Sequence, residues 1–87
     1  MRNANIPLQE IFNDIPLEKR EETRISFAIS NRIAAFMQER GLNRKQLAGA
    51  LGKRPNEVTR WLSGEHNFTI STIAMLSTFF GKPIISV

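Results

Sequence analysis

The chain of 87 residues contains no cysteine and no tyrosine, and it has one histidine, one aspartate and one tryptophan. Without cysteine it forms neither a disulfide nor a thiolate metal site. A single histidine excludes a metal site built from two imidazoles. The chain also lacks a glycine-rich phosphate loop. We therefore expect no enzyme activity, no cofactor and no metal.

Long apolar runs are missing as well. No stretch approaches the roughly 18 apolar residues of a membrane span, and the start, MRNANIPLQEIF, lacks the apolar run of a signal peptide. The length suits one domain with a core large enough to fold without disulfides. These absences suit the reducing cytoplasm, and we expect a cytoplasmic protein with no membrane contact.

The net charge of +4 is concentrated in one part of the chain. Residues 40–66 contain six basic and two acidic side chains, whereas residues 1–39 carry a net charge of −1. A run of charge is often only a solvated face. Because this one coincides with the motif described next, it favours contact with nucleic acid.

A short helix is predicted over residues 44–51. Asn43 is a favourable N-cap, because its side-chain oxygen can accept a hydrogen bond from a free backbone N–H. The apolar residues that follow share one helical face: Leu47, Ala48 and Leu51. Gly52 then stands where a helix commonly ends with positive φ.

A second short helix is predicted over residues 55–62. Pro55 suits its first position, since the ring fixes a helical φ and the missing N–H would have no helical partner. Its apolar stripe is Val58, Trp61 and Leu62, and Gly64 ends it. Ala48 is small enough for the second helix to cross closely over the first. The two form a helix-turn-helix, residues 43–63.

These residues resemble the Cro/phage-repressor (XRE) family of helix-turn-helix regulators. The family pattern is matched at Leu42, Leu47, Ala48, Leu51, Gly52, Trp61 and Gly64, with close substitutes at Asn43, Val58 and Thr59. Arg44 replaces the usual Gln at a position that touches DNA phosphate, and Arg is compatible with that contact. Arg54 replaces the Ser or Thr that caps the recognition helix, a loss of about 1 kcal/mol.

The resemblance implies an all-α fold, a lambda-repressor-like helix-turn-helix bundle of about five helices in a bacterial, nucleoid-associated protein. Before the motif, a helix is predicted over residues 24–40; whether it reaches back to Pro16 or meets another helix near Thr23 stays open. After the motif, Thr69 caps a helix whose apolar face is Ile70, Ile73, Ala74, Leu76, Phe79 and Phe80.

The two ends of the chain are predicted separately. Residues 1–22 are expected to form an N-terminal arm or helix that packs on the core or meets a partner, and residues 23–87 the helix-turn-helix domain. Asp14 is a candidate cap for a helix that enters through Pro16. Residues 84–87 are rich in β-branched side chains and predict a possible short C-terminal strand.

By resemblance, the second motif helix lies in the major groove of DNA. The candidate base contacts are Arg54, Pro55, Asn56, Thr59 and Arg60. Arg60 suits guanine and Asn56 suits adenine. Thr59 either meets a thymine methyl or is half-buried packing, and we expect packing. Glu57 either accepts from a cytosine amine or favours the positive end of its helix, and we expect the second.

Phosphate contacts are expected around the start of the first motif helix, where free N–H groups favour an anion. The candidates are Asn43, Arg44, Lys45, Lys53, Ser63 and Asn67. Trp61 is expected in the core. His66 is expected in a loop, at best as a phosphate donor.

One recognition helix reads only a few base pairs, and related regulators bind as two-fold dimers with these helices about 34 Å apart. We expect a homodimeric repressor on an inverted repeat of double-stranded DNA. Its interface is residues 1–22, the helix over 70–80, or the terminal strand. A module that has lost DNA binding is disfavoured by Arg44, Asn56 and Arg60.

Residues 58–85 also resemble antitoxins of the HigA type, small XRE proteins that bind a ribonuclease toxin and repress their own operon. The resemblance continues past the motif through Gly64, His66, Asn67, Phe68 and Thr69. It implies an alternative role as an antitoxin of a type II toxin–antitoxin pair, with a toxin as protein partner and residues 1–22 as its contact.

Overall fold

A computed structural model describes residues 16–86, and every structural statement below refers to that range. It contains four α-helices: α1 (Leu17–Arg40), α2 (Arg44–Leu51), α3 (Pro55–Trp61) and α4 (Ile70–Phe80). The predicted all-α helix-turn-helix fold is confirmed, with α2 and α3 as the motif. The predicted arm up to residue 15, including the proposed cap Asp14, lies outside the described residues.

Helix α1 is one continuous helix of 24 residues, which settles the question left open at Thr23. The predicted division between residues 22 and 23 falls inside it and stays a prediction. Its first turns are exposed and carry the ion pairs Lys19–Glu22 and Arg24–Glu21. The hydrogen bonds from Arg24 lower the pKa of Glu21 from its usual value, and the same bonds raise the pKa of Arg24.

The hydrophobic core draws on all four helices. Its fully buried centre consists of Ile33 from α1, Leu47 from α2, Val58 from α3 and Leu76 from α4. Around these pack the other buried apolar residues: Ile29, Phe36, Met37, Ala48, Trp61, Phe80 and Ile84. Burial of this apolar surface, at about 25 cal/mol per Å², is the main force that holds the short motif helices in place.

Helix α4 begins as predicted at Thr69, whose hydroxyl oxygen accepts a hydrogen bond from the Thr72 N–H at 3.1 Å. Its apolar face is narrower than predicted. Leu76 and Phe80 are buried, but Ile70, the first residue of the helix, is 85% exposed.

The predicted C-terminal strand is wrong for the described part of the chain, where residues 84–86 form no strand. The Ile84 side chain is buried in the core, and its N–H donates to the Ser77 hydroxyl at 3.0 Å. A hydroxyl of α4 therefore satisfies the backbone group that a neighbouring strand would have bonded. Within residues 16–86, no helix combines the length and apolar character needed to span a membrane.

Candidate nucleic-acid interface

The start of α2 is fixed by a reciprocal pair of hydrogen bonds. The Asn43 side-chain oxygen accepts from the Gln46 N–H at 2.8 Å, and the Gln46 side chain accepts from the Asn43 N–H at 2.9 Å. This capping box uses two backbone donors and leaves those of Arg44 and Lys45 without helical partners. An anion at this end of α2 would meet free N–H groups and the positive end of the helix dipole.

The turn between α2 and α3 depends on Gly52. Its φ is +67°, a left-handed backbone conformation that residues other than glycine adopt at a cost of about 1–2 kcal/mol. The following N–H, of Lys53, then donates to the Ala48 carbonyl at 2.8 Å and closes the end of α2. Arg54 makes no side-chain cap at the start of α3, as predicted, and Pro55 occupies the first turn.

Helix α3 is anchored on one side and open on the other. Val58 is fully buried and Trp61 is 4% exposed, which confirms that the tryptophan belongs to the core. On the opposite side, Asn56, Thr59 and Arg60 are exposed. The helix therefore presents a polar surface while its apolar side chains fix its position.

The expectation that Thr59 packs half-buried is wrong. It is exposed and so is not half-buried packing. Its hydroxyl donates to the Pro55 carbonyl at 3.2 Å and accepts a hydrogen bond of 3.4 Å from the Arg44 guanidinium. This contact brings the start of α2, a candidate phosphate site, to the exposed face of α3, where the candidate base contacts lie.

The cations of the motif are exposed and unpaired in the described part of the chain. No carboxylate within residues 16–86 forms an ion pair with Arg44, Lys45, Lys53, Arg54 or Arg60. Arg40, in contrast, donates to the Phe79 and Phe80 carbonyls at 3.2 and 2.9 Å. It stabilises the end of α4 and does not belong to this basic surface.

A polar cleft of about 200 Å³ lies beside α3. Its lining includes Lys53, Glu57 and Arg60 from the motif, together with His66 and Thr72. Glu57 is half-buried in the first turn of α3, where the helix dipole favours a carboxylate. The structure thus brings two candidate DNA contacts next to the start of α4.

Two predicted phosphate contacts lie apart from this cleft. The Ser63 hydroxyl donates to the Arg60 carbonyl at 2.7 Å and accepts from the Glu65 N–H at 3.1 Å. Asn67 is exposed, but it lines a separate groove against α1. His66 lies in the connection between α3 and α4, as predicted, and its ring is perpendicular to that of Phe68 with the centroids 4.7 Å apart.

Three residues that shape this surface were not identified from the sequence. Gln46 was detectable, since Asn43 followed three residues later by Gln is the capping-box pattern. Ser30 was also detectable, because it is a polar residue within the apolar stripe of α1 that is buried. Thr72 left none, because its place beside α3 depends on how α4 packs. No cluster of three potential metal-ligating side chains occurs among the described residues.

Helix α3 buries one side and exposes the other, α2 packs against it, and the motif cations form no ion pair with a carboxylate of residues 16–86. These features are those of a helix-turn-helix DNA-binding domain. The helix-turn-helix family model of the Cro/C1 (XRE) type matches residues 33–86, more than half of the chain. The chain therefore belongs to this family, whose domain is regulatory rather than catalytic, and it is a DNA-binding transcription regulator. Comparison with curated proteins and with solved structures found no significant match.

Proposed function

We propose that this regulator is a sequence-specific repressor that inserts α3 into the major groove of an inverted-repeat operator. The observation that carries the proposal is the two-sidedness of α3. Val58 and Trp61 are buried while Asn56, Thr59 and Arg60 are exposed on the opposite side. A helix held in this way presents a fixed set of side chains to base edges.

The side chains divide into two roles. Arg60 is the candidate for a bidentate contact to guanine and Asn56 for one to adenine, while Arg54, Pro55 and Thr59 complete the base-reading set. Asn43, Arg44, Lys45, Lys53, Ser63 and Asn67 form the phosphate-contacting set. The exposure of Arg44 and Lys45 beside free N–H groups supports this assignment for the start of α2.

The proposed binding unit is a homodimer, because seven residues of α3 reach only a few base pairs. Two copies with recognition helices about 34 Å apart would read half-sites one DNA turn apart. In a cytoplasmic repressor of this kind, occupation of the operator blocks transcription.

The first test is selection of binding sites from a library of random double-stranded DNA. The selected duplex and a scrambled duplex of equal composition are then titrated with the wild type, Arg60→Ala and Arg24→Ala. Arg24→Ala is the matched control, since it removes the same charge from an exposed position on α1. Sedimentation of the complex gives the number of protein copies per duplex.

We expect an inverted repeat, two copies per site and a preference for it of roughly 10³-fold or more. Arg60→Ala should weaken specific binding by about 1–3 kcal/mol and relax the choice of base at one position. Equal losses for Arg60→Ala and Arg24→Ala would mean that Arg60 acts only through its charge. Equal binding of both duplexes by the wild type would reject the repressor proposal.

The antitoxin alternative is supported by apolar side chains exposed on the first half of α1. Leu17 is 73% exposed, Ile25 40% and Phe27 49%, so apolar side chains of α1 are accessible to a protein partner. The test is co-expression with a ribonuclease-like protein encoded beside the gene, with cell growth as readout. Rescue that Ile25→Glu abolishes, with DNA binding unchanged, would support the role; absence of rescue would reject it.

A further inference from the structure

One buried hydroxyl of α1 holds the end of the recognition helix. The Ser30 side chain is 3% exposed, and it donates to the Trp61 carbonyl at 2.5 Å. The same oxygen accepts from the Gly64 N–H at 3.1 Å. Ser30 therefore bonds two backbone groups, one in the last residue of α3 and one in the segment that leaves it.

Among the described residues, these two backbone groups form no hydrogen bond other than those with Ser30. The carbonyls of the last helical turn have no partner within their own helix, and a buried polar group without a partner is costly. Helix α3 is only seven residues long and has no side-chain cap at its start. Besides the Arg44–Thr59 hydrogen bond, its position therefore depends on Val58 and Trp61 in the core and on this contact at its end.

Arg60 directly precedes Trp61, so any displacement of the Trp61 backbone also displaces the proposed guanine contact. Direct readout depends on geometry, because a bidentate hydrogen bond forms only when both donors meet the base edge. We propose that Ser30 is a positioning residue for DNA recognition, which orients α3 for base reading without touching DNA. This inference rests on the proposed function of α3 as the base-reading helix.

The protein offers a matched control on the same face of α1. The Ser26 hydroxyl is also buried, and it donates to the His66 carbonyl at 2.7 Å. His66 lies in the connection to α4 rather than in α3. Ser30→Ala and Ser26→Ala thus each remove a buried hydroxyl from α1, but only the first removes a contact to α3.

The experiment measures binding of both variants to the selected duplex and to its scrambled counterpart, at a temperature where circular dichroism shows both to be folded. Ser30→Ala should reduce the preference for the selected duplex about tenfold, comparable to the loss of one base contact. Binding to scrambled DNA and its salt dependence should stay unchanged, because the phosphate contacts remain. Ser26→Ala should keep the preference.

Amide hydrogen exchange gives a second readout that needs no DNA. The Gly64 N–H should exchange faster in Ser30→Ala and unchanged in Ser26→Ala. Unchanged exchange in Ser30→Ala, a retained DNA preference, or equal loss of preference in both variants would each overturn the inference. If the wild type has no preference for any duplex, the proposed function fails instead, and the recognition role of Ser30 fails with it.

Discussion

Replacing Gly64 with alanine should destabilise the fold far more than the same change at Gly52. Both glycines have a left-handed backbone, with φ of +82° at Gly64 and +67° at Gly52. They differ in their surroundings. A Cβ at Gly64 would clash with Cε1 of Phe27 and lie 2.7 Å from its Cδ1, whereas nothing lies within 4 Å of one at Gly52.

The magnitudes follow from these two contributions. The left-handed conformation costs a residue with a Cβ about 1–2 kcal/mol, which is the whole cost expected for Gly52→Ala. Gly64→Ala adds overpacking against Phe27, typically about 1–3 kcal/mol. The expected loss at Gly64 is therefore about 2–5 kcal/mol. Its lower end applies if the Phe27 ring, which is 49% exposed, rotates outwards.

Urea denaturation followed by circular dichroism measures these losses as shifts of the midpoint at constant slope. A domain of this length has roughly 4–13 kcal/mol of stability at about 0.05–0.15 kcal/mol per residue, so Gly64→Ala can bring it close to unfolding. Phe27→Ala provides the check, because it removes the opposing ring. In that background, Gly64→Ala should cost no more than Gly52→Ala does in the wild type.

Two results would refute this reasoning. One is an equal loss for the two glycine variants in the wild-type background, which would mean that Phe27 does not oppose a Cβ at Gly64. The other is an unchanged cost of Gly64→Ala after Phe27 has been truncated, since a double-mutant cycle must detect the contact if it exists.

Three further changes test the core, the cap and an ion pair. Leu47→Ala should cost about 2–5 kcal/mol in urea denaturation, because the side chain is fully buried, and a loss below about 1 kcal/mol would contradict its central place. Asn43→Ala should cost about 1 kcal/mol by removing the cap of α2; an unchanged melting temperature would argue against the capping box. The lowered pKa of Glu21 stabilises the folded state above the unfolded pKa of glutamate, and this is lost as the pH falls through the folded value. An NMR titration should show that Arg24→Ala returns the pKa of Glu21 towards normal, and the effect on unfolding should be small because both groups are exposed.

The local sequence determined where the helices of the motif begin and end. Asn43 caps α2, Gly52 ends it, Pro55 opens α3 and Thr69 caps α4, all as predicted. Each of these features depends on hydrogen bonds or φ values within about four residues, so residue type and spacing were sufficient. The family resemblance could be read from the same residues, and the family match confirms it.

Tertiary structure decided the contacts between distant parts of the chain. Ser30 bonds residues 31 and 34 positions away, and the Arg40 guanidinium reaches α4 some 39 and 40 positions away. The sequence pattern favoured half-buried packing for Thr59, and this expectation was wrong because the residue is exposed.

Hydrophobic periodicity tells which face of a helix is buried, but it does not tell which element covers that face. The same limit explains the C-terminal residues, where β-branched side chains favoured a strand and burial of Ile84 against the core prevailed. The sequence by itself therefore determined the motif, its helix ends and its charge. Only the packing of α1 and α4 around the motif decided which side chains of the motif remain exposed and which contacts hold α3 in place.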